Sequence, residues 1–419
     1  MLRHVPSRAK DIGQISEWIH KHSISNEMLI KVGLRMNRNL LFGSNHRCVA
    51  MLIVFKSIMD EINFCEDHIQ APTSPLEASR GSSSITQQNK PLERLQKCLK
   101  QAMDFLDFCR PLSVSMTNAY KLVREEILKL NQASTDKAIA SLRLDSSNDT
   151  LPSAHNVSHS TQRERTSSVL SANPSTNVSN EEAKGSSPVI PSHQQDERYH
   201  QDLYEEQKQQ LKSFINRFID EEVWSAQRGI CENIYSNIAN NDIILVYGCS
   251  TIVQHVLLNA KAKEKNFRVI IVDSPPHFNG RRMLRFLNDN CMDATYTLIN
   301  SLSFVIRQAT KVLIGANSML ANGYVMSHIG TSQVALMAKA TNVPTIVCCE
   351  TYKLSDRVYV DAFGCNEVDS GHELGSALNL RYDLTPPEFV SMVITEKSTV
   401  PAESVPALLR FRTERTTRT

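Results

Sequence analysis

Ten cysteines occur without a single Cys-x-x-Cys pair, no apolar run approaches membrane length, and neither charge sign is in marked excess. Each absence excludes a class of protein. Thiols scattered without finger-like spacing argue against a zinc site or a disulfide framework and for reduced cysteines, so no metal is expected. Cys348 and Cys349 are adjacent, but they sit within an apolar run that reads as a buried strand. The longest aliphatic stretches, residues 243–246 and 268–272, are far too short to cross a bilayer, so no membrane partner is expected. Forty-six basic against 44 acidic residues give a net charge of +2. That leaves no global field for nucleic acid or anionic lipid, so partners must be recognised by shape. Arg3, Arg8 and Lys10 lack a following apolar segment, and Asp11 and Glu17 come early for a transit peptide, which points to the cytosol. In that setting the Asn-x-Ser/Thr triplets at Asn148, Asn156 and Asn177 are the chance yield of a Ser/Asn-rich tract.

What is present falls into two unlike halves. Segments such as CVAMLIVFKSIMDEI (48–62) and LQKCLKQAMDFLDF (95–108) place apolar residues at three- and four-residue steps, which predicts an N-terminal all-helical domain over 1–131 with a polar loop at 66–90. Residues 132–197, rich in Ser, Asn and Thr and poor in aliphatic side chains, read as a disordered insertion. Helix resumes through 198–239 with a stripe of Leu211, Phe214, Ile215, Phe218 and Ile219, predicting connecting helices with one buried face. From 240 to 412 the rhythm changes to short β-rich runs (DIILVYG, RVIIVDS, ATYTLIN, KVLIGA, TIVCCE) separated by helix-length segments. This is the pattern of a Rossmann-like α/β domain with a parallel sheet, followed by a tail at 413–419.

Such sheets hold ligands beyond the carboxyl ends of their strands. The first strand ends in Gly248-Cys249-Ser250-Thr251, with Ser250 or Thr251 suited to cap a helix, but bulky Ile252 and Val253 stand where a GxGxxG loop would need glycines. No dinucleotide cofactor, and no other cofactor, is expected. Asp273 closes the second strand and more often caps a turn than binds a ribose. The fourth strand runs into a cluster of small and polar residues, 315–340, where Asn322 and Gly323 suit a tight turn and Gly330 with Thr331 suits a helix start whose amides face the same cleft. A ligand site and a plain turn with a cap fit these residues equally well.

The segment LIGANSMLANGYVMSHIGTSQVALMAKATNVPTIVCCETYKLSDRV (313–358) resembles the family that unites the alpha, beta and delta regulatory subunits of initiation factor 2B with methylthioribose-1-phosphate and ribose-1,5-bisphosphate isomerases. FGSNHRCVAML (42–52), CRPLSVSMTNA (109–119), VYGCS (246–250), VCCETYKL (347–354) and YDLTPPEFVSMVITE (382–396) resemble the delta branch most. The insertion departs from the usual delta pattern, and the long charged N-terminal extension common there is missing or truncated.

The resemblance implies that the isomerases' catalytic cysteine falls at Cys249 and their GAD aspartate at Asn317. An amide cannot accept and return a proton near neutral pH, so half of the acid/base pair is gone and no catalytic residue is expected. The isomerases' Arg-Pro motif persists at Arg110 and Pro111, and Asn322 and Gly323 persist too. Their Asn-Lys pair before IGT is replaced by Ser327 and His328, which removes a fixed positive charge. A remnant ligand cleft is therefore expected at Arg110, Cys249, Asn317, Asn322, Gly323, Gly330 and Thr331. The implied role is a non-catalytic regulatory subunit of a guanine-nucleotide exchange factor, with a sugar-phosphate isomerase as the alternative. Implied partners are the beta, alpha, gamma and epsilon subunits and the alpha subunit of translation initiation factor two, without direct contact to nucleic acid. KVGLRMNRNLLFGSN (31–45) resembles the part of delta at the symmetric centre of the assembly, giving Lys31, Leu34 and Leu40 as central-interface candidates; Met36 replaces the usual aromatic. Packing within a helix explains the same stripe.

Overall fold

The computed structural model describes residues 10–62, 90–145, 192–363, 366–368 and 380–410. The polar loop expected at 66–90 lies outside these residues except for its last position, and so do the bulk of the insertion and the tail. Among the described residues, the first half holds six helices: α1 (Ile12–Lys21), α2 (Glu27–Asn37), α3 (Ser44–Glu61), α4 (Lys90–Cys109), α5 (Val114–Asp145) and α6 (Ser192–Phe218). Their starts are locally encoded. Gln14 accepts from the Asp11 N–H at 3.3 Å, and Asn26 accepts from the Leu29 N–H at 2.7 Å, each satisfying an amide that the helix leaves open. α5 runs past its expected end at 131, because the sequence KAIASLRL (137–144) is made largely of strong helix formers.

The apolar stripes of these helices meet in one core that includes Val32, Met36, Phe55, Met59, Leu95, Phe105 and Ile215. Burying each such side chain contributes roughly 1.5–3 kcal/mol. α6 adds Leu211 and Phe218 to this core, then passes through a π-helical turn (Ile219–Ser225) into α7 (Ala226–Tyr235). The α7 residues Ile230, Cys231 and Ile234 pack beneath the sheet instead. Along the stretch read as connecting helices at 198–239, the apolar face thus changes partner at the π turn.

The α/β half contains β1 (Asp242–Tyr247), α8 (Thr251–Ala262), β2 (Phe267–Asp273), α9 (Gly280–Asp289), β3 (Ala294–Leu298), α10 (Leu302–Val305), β4 (Lys311–Gly315), β5 (Ser318–Met319), β6 (Val325–His328), α11 (Thr331–Ala340), β7 (Thr345–Cys348), β8 (Tyr382–Thr385), β9 (Met392–Ile394) and β10 (Thr399–Val400). The main sheet has the order β10-β9-β7-β4-β1-β2-β3 and is parallel except at β10. Side chains alternate between its faces: Ile244, Val246, Val269 and Ile271 enter one core, Leu245, Ile270, Val272 and Val312 the other. A small antiparallel sheet, β5-β6-β8, flanks it. The strand order reverses between β1 and β4, which opens a crevice at their carboxyl ends.

The C-terminal segment also supplies core: Val393, Ile394 and Val405 are fully buried in their own domain.

Gly33 on α2 is the tightest helix contact, since a Cβ there would lie 2.5 Å from the Phe105 ring. Gly33→Ala gains about 1 kcal/mol of helix propensity but overpacks a ring with no free space, at about 1–3 kcal/mol. Chemical denaturation is expected to show no gain and a net loss of up to about 2 kcal/mol, whereas at an open helix position the same change would stabilise.

Candidate functional site

A cleft of about 350 Å³ occupies the crevice. Its wall contains Cys249, Ser250 and Thr251 beyond β1, Ala316 and Asn317 beyond β4, and His328 at the end of β6. The helical half closes it from above with Phe42–Arg47 at the start of α3 and with Arg110 after α4. Gly43, at φ +75°, makes the turn that brings α3 over the crevice. Arg282 of α9 lies 3.2 Å over the Phe42 ring, so a cation–π contact joins the two halves at the cleft wall.

Of the residues expected at a ligand site, Arg110, Cys249, Asn317 and Thr331 line the cleft. Asn322, Gly323 and Gly330 do not. Asn322 donates to the Tyr359 carbonyl at 2.9 Å, and Gly323, at φ +82°, lies so close to Ala402 that a Cβ would sit 2.7 Å from its carbonyl oxygen. Gly330 packs against the Tyr247 hydroxyl. These three hold a turn, a close approach and a helix start. Asp273 likewise accepts from the Ser274 N–H and the Tyr296 hydroxyl, at 3.0 and 2.9 Å. Ser250 stands at the N-cap of α8 without a side-chain cap bond.

Cys249 accepts from Gln254 Nε2 at 3.4 Å. Burial, opposed weakly by Arg282, pushes its thiol up to about 11, so it is a neutral thiol at pH 7. Asn317 anchors its backbone N–H to the Met326 carbonyl at 2.9 Å, while its side-chain Nδ2 has no acceptor among the described residues. Ser327 donates to the Gly315 carbonyl at 3.0 Å, and His328 Nε2 lies 2.7 Å from Asn279 Nδ2.

Of the residues with the most charge, sequence reasoning singled out Arg110 alone. Arg47 of α3, Arg110 and Arg381 line the cleft and converge on Glu367, all four being buried. Arg110 Nε donates to Glu367 at 2.9 Å, and the Arg47 and Arg381 guanidinium groups stand 3.6 and 3.9 Å from its oxygens. Arg47 also donates to the Pro111 carbonyl, and burial beside Arg110 lowers its guanidinium to about 10, still charged at pH 7. Burial works against the Glu367 carboxylate, but Arg110, Arg47 and Arg381 together hold its carboxyl below the usual range. Arg47 falls inside the FGSNHRCVAML motif, where it is flanked by the core residues of α3 and so reads as a surface position. Nothing in the sequence around Glu367 marks it. A second buried pair crosses the seam: Asn45 donates to Glu350 at 2.6 Å, and Lys353 meets the same carboxylate at 2.7 Å.

The helix start at α11 was expected to offer amides to a ligand. Asp383 takes them instead, accepting from the N–H groups of Gly330 and Ser332 at 2.7 and 2.9 Å. The interface candidates lie away from the cleft: Lys31 is exposed and pairs with Glu27 at 2.5 Å, Leu34 is half-buried against the helical core, and Leu40 is 60 % exposed. Met36, between them, is core. Among the described residues no His/Cys/Asp/Glu group is arranged to hold a metal, and no helix is long and apolar enough to cross a membrane.

Burial pushes the Asp383 carboxyl from the ordinary 3.8 up to about 7, with the two amide bonds opposing. A carboxyl whose folded-state pKa is raised contributes stability that is complete below pH 3.8 and declines as pH rises to about 7. Asp383→Asn, which keeps the acceptor oxygen, is expected to abolish this part of the slope. Unfolding midpoints from pH 4 to 8 check it: the variant gains on the parent by roughly 1–4 kcal/mol across that span.

A family model described as the Initiation factor 2 subunit family matches residues 70–402. The translation initiation factor eIF2B subunit delta of Dictyostelium discoideum is 30% identical over 404 residues, 91% of this chain and 51% of that protein. The delta subunit of Schizosaccharomyces pombe is 26% identical over 91% of this chain and 68% of that protein. This chain thus spans from about half to about two thirds of the length of these relatives. Among solved structures, a chain of the tetrameric eIF2B-beta2-delta2 complex from C. thermophilum superposes with a TM-score of 0.63 at 22% identity, covering 94% of this chain and 96% of that one. That likeness establishes the shared architecture of a helical half followed by an α/β half.

Proposed function

The chain belongs to the Initiation factor 2 subunit family, and from that membership we propose that it acts as a delta-type regulatory subunit of the guanine-nucleotide exchange factor for translation initiation factor two. The carrying observation is that similarity to delta subunits extends along 91% of the chain, through the helical and the α/β halves alike. The proposed role needs no chemistry at the cleft. Asn317 at the strand end cannot cycle a proton, and the neutral Cys249 thiol is left without a partner acid.

In this reading the chain pairs with a beta subunit, two such pairs join an alpha dimer, and the assembly carries the catalytic gamma and epsilon subunits in the cytosol. The helical half faces the alpha subunit of translation initiation factor two and responds to its phosphorylation through the relative positions of the subunits, each form of the substrate stabilising the arrangement that it binds better. The exposed Leu40, beside the exposed Lys31, supports a contact surface at the centre of the assembly. The retained Cys249 and Arg110 on one cleft favour the second reading, a sugar-phosphate isomerase.

Co-expression with the beta subunit of the same organism, with the mass read by light scattering, separates the two readings. A one-to-one complex that also recruits alpha is expected. A homodimer indifferent to beta that turns over a sugar phosphate, and loses that turnover on Cys249→Ser, would establish the isomerase. Within the assembled factor, exposed substitutions confined to residues 12–131 are expected to weaken inhibition by the phosphorylated substrate. Exchange assays in which such variants all retain full phospho-inhibition would remove the helical half from the mechanism.

A further inference from the structure

We propose that Glu367 is an internal ligand: its carboxylate occupies an anion position formed by Arg47, Arg110 and Arg381 on the wall of the cleft and keeps a phosphate out. The geometry is that of a bound anion rather than of a surface ion pair. Three guanidinium groups from three separate parts of the chain meet one carboxylate, and all four side chains are at most 7 % exposed. The carboxylate is held from behind. Asn366 accepts from the backbone N–H groups of Glu367, Arg381 and Tyr382 at 2.9, 3.1 and 2.9 Å and donates to the Tyr382 carbonyl at 2.6 Å. The Arg381 N–H donates to the Glu367 carbonyl at 3.0 Å. Asn39 adds an acceptor shared by Arg110 and Arg381, at 3.3 and 3.2 Å. Arg47 keeps a buried Nε without an acceptor among the described residues, so the set has donor capacity beyond what Glu367 uses.

A carboxylate and a phosphate compete for such a set on unequal terms. Guanidinium forks bind both, and phosphate brings more oxygens and more charge. Glu367, however, is attached to the same chain, and a tethered group has an effective concentration of millimolar or more without loss of translational freedom. A free phosphate therefore binds only in the small fraction of molecules whose carboxylate has swung out, and its apparent affinity falls by that fraction. This inference is independent of the regulatory reading, because it concerns occupancy of the cleft and not assembly.

The test uses the full chain and inorganic phosphate up to 10 mM as probe, against chloride at equal ionic strength, with thermal unfolding and isothermal titration as readouts. Wild type is expected to show no saturable binding. Glu367→Ala, which removes the charge and opens space, is expected to be destabilised in chloride and to recover with saturable phosphate binding at least tenfold tighter than wild type. Adding Arg110→Ala to Glu367→Ala is expected to abolish that recovery, which separates the site from the general stabilising effect of phosphate as a salt. Glu367→Gln is expected to be destabilised with little recovery, since the amide still fills the position. Phosphate binding to wild type as tight as to Glu367→Ala would overturn the proposal. So would a Glu367→Ala chain that is soluble in neither buffer, because bound phosphate should replace the missing charge.

Discussion

The contact on which the rest of the structure depends is the buried meeting of Arg47, Arg110 and Arg381 with Glu367. Arg47 and Arg110 come from the helical half, Arg381 and Glu367 from the α/β half, so the cluster ties together two layers whose cores are largely separate and share Tyr352. Apolar contact alone fixes their relative position loosely. A buried ion cluster contributes little in energy but much in geometry. Its attraction roughly offsets the cost of removing the charges from water, yet breaking it leaves uncompensated charge at about 3–5 kcal/mol, a penalty that any slipped arrangement must bear. Asn45 and Lys353 on Glu350 repeat the device a short distance away along the same seam.

Several polar groups around the cleft below this seam are satisfied by the chain itself. The amides at the start of α11, which would suit an anion, are taken by Asp383. The hydroxyl of Ser327 is spent on a strand carbonyl, and the neutral Cys249 thiol is held by Gln254. Each of these bonds satisfies a group that would otherwise be buried and unpaired, at about 1–3 kcal/mol. The arrangement therefore stabilises the fold with the polar groups that surround the cleft.

How much of this was legible in the sequence depends on the range of the interaction concerned. The five principal strands were visible because the core-facing aliphatics of β1, β2 and β4 run consecutively, as a sheet covered on both faces requires. The helices were visible through their three- and four-residue periodicity. Cys249 and Asn317 were found because topology alone places strand ends at the crevice. The small sheet β5-β6-β8 was not, because its strands are two to four residues long, too short for any alternation to register, and β8 joins β6 across more than 50 positions. The seam was missed for the same reason: Arg110 and Glu367 are 257 residues apart, and nothing local to either one anticipates the other. Gly323 and Gly330 left two readings open, since a positive φ identifies a backbone need without saying whether a ligand or the chain itself creates it.

A rigid seam also bears on the proposed regulatory role. A subunit that reports on a bound partner through the relative positions of its neighbours must pass a displacement from one face to another, and two layers free to move against each other would absorb it. Here the charged cluster and the cation–π contact of Arg282 on Phe42 join the helical half to the α/β half at the wall of the cleft. The same arginine side chains thus line the cleft and, in the proposed role, make the two halves a single body able to transmit a push.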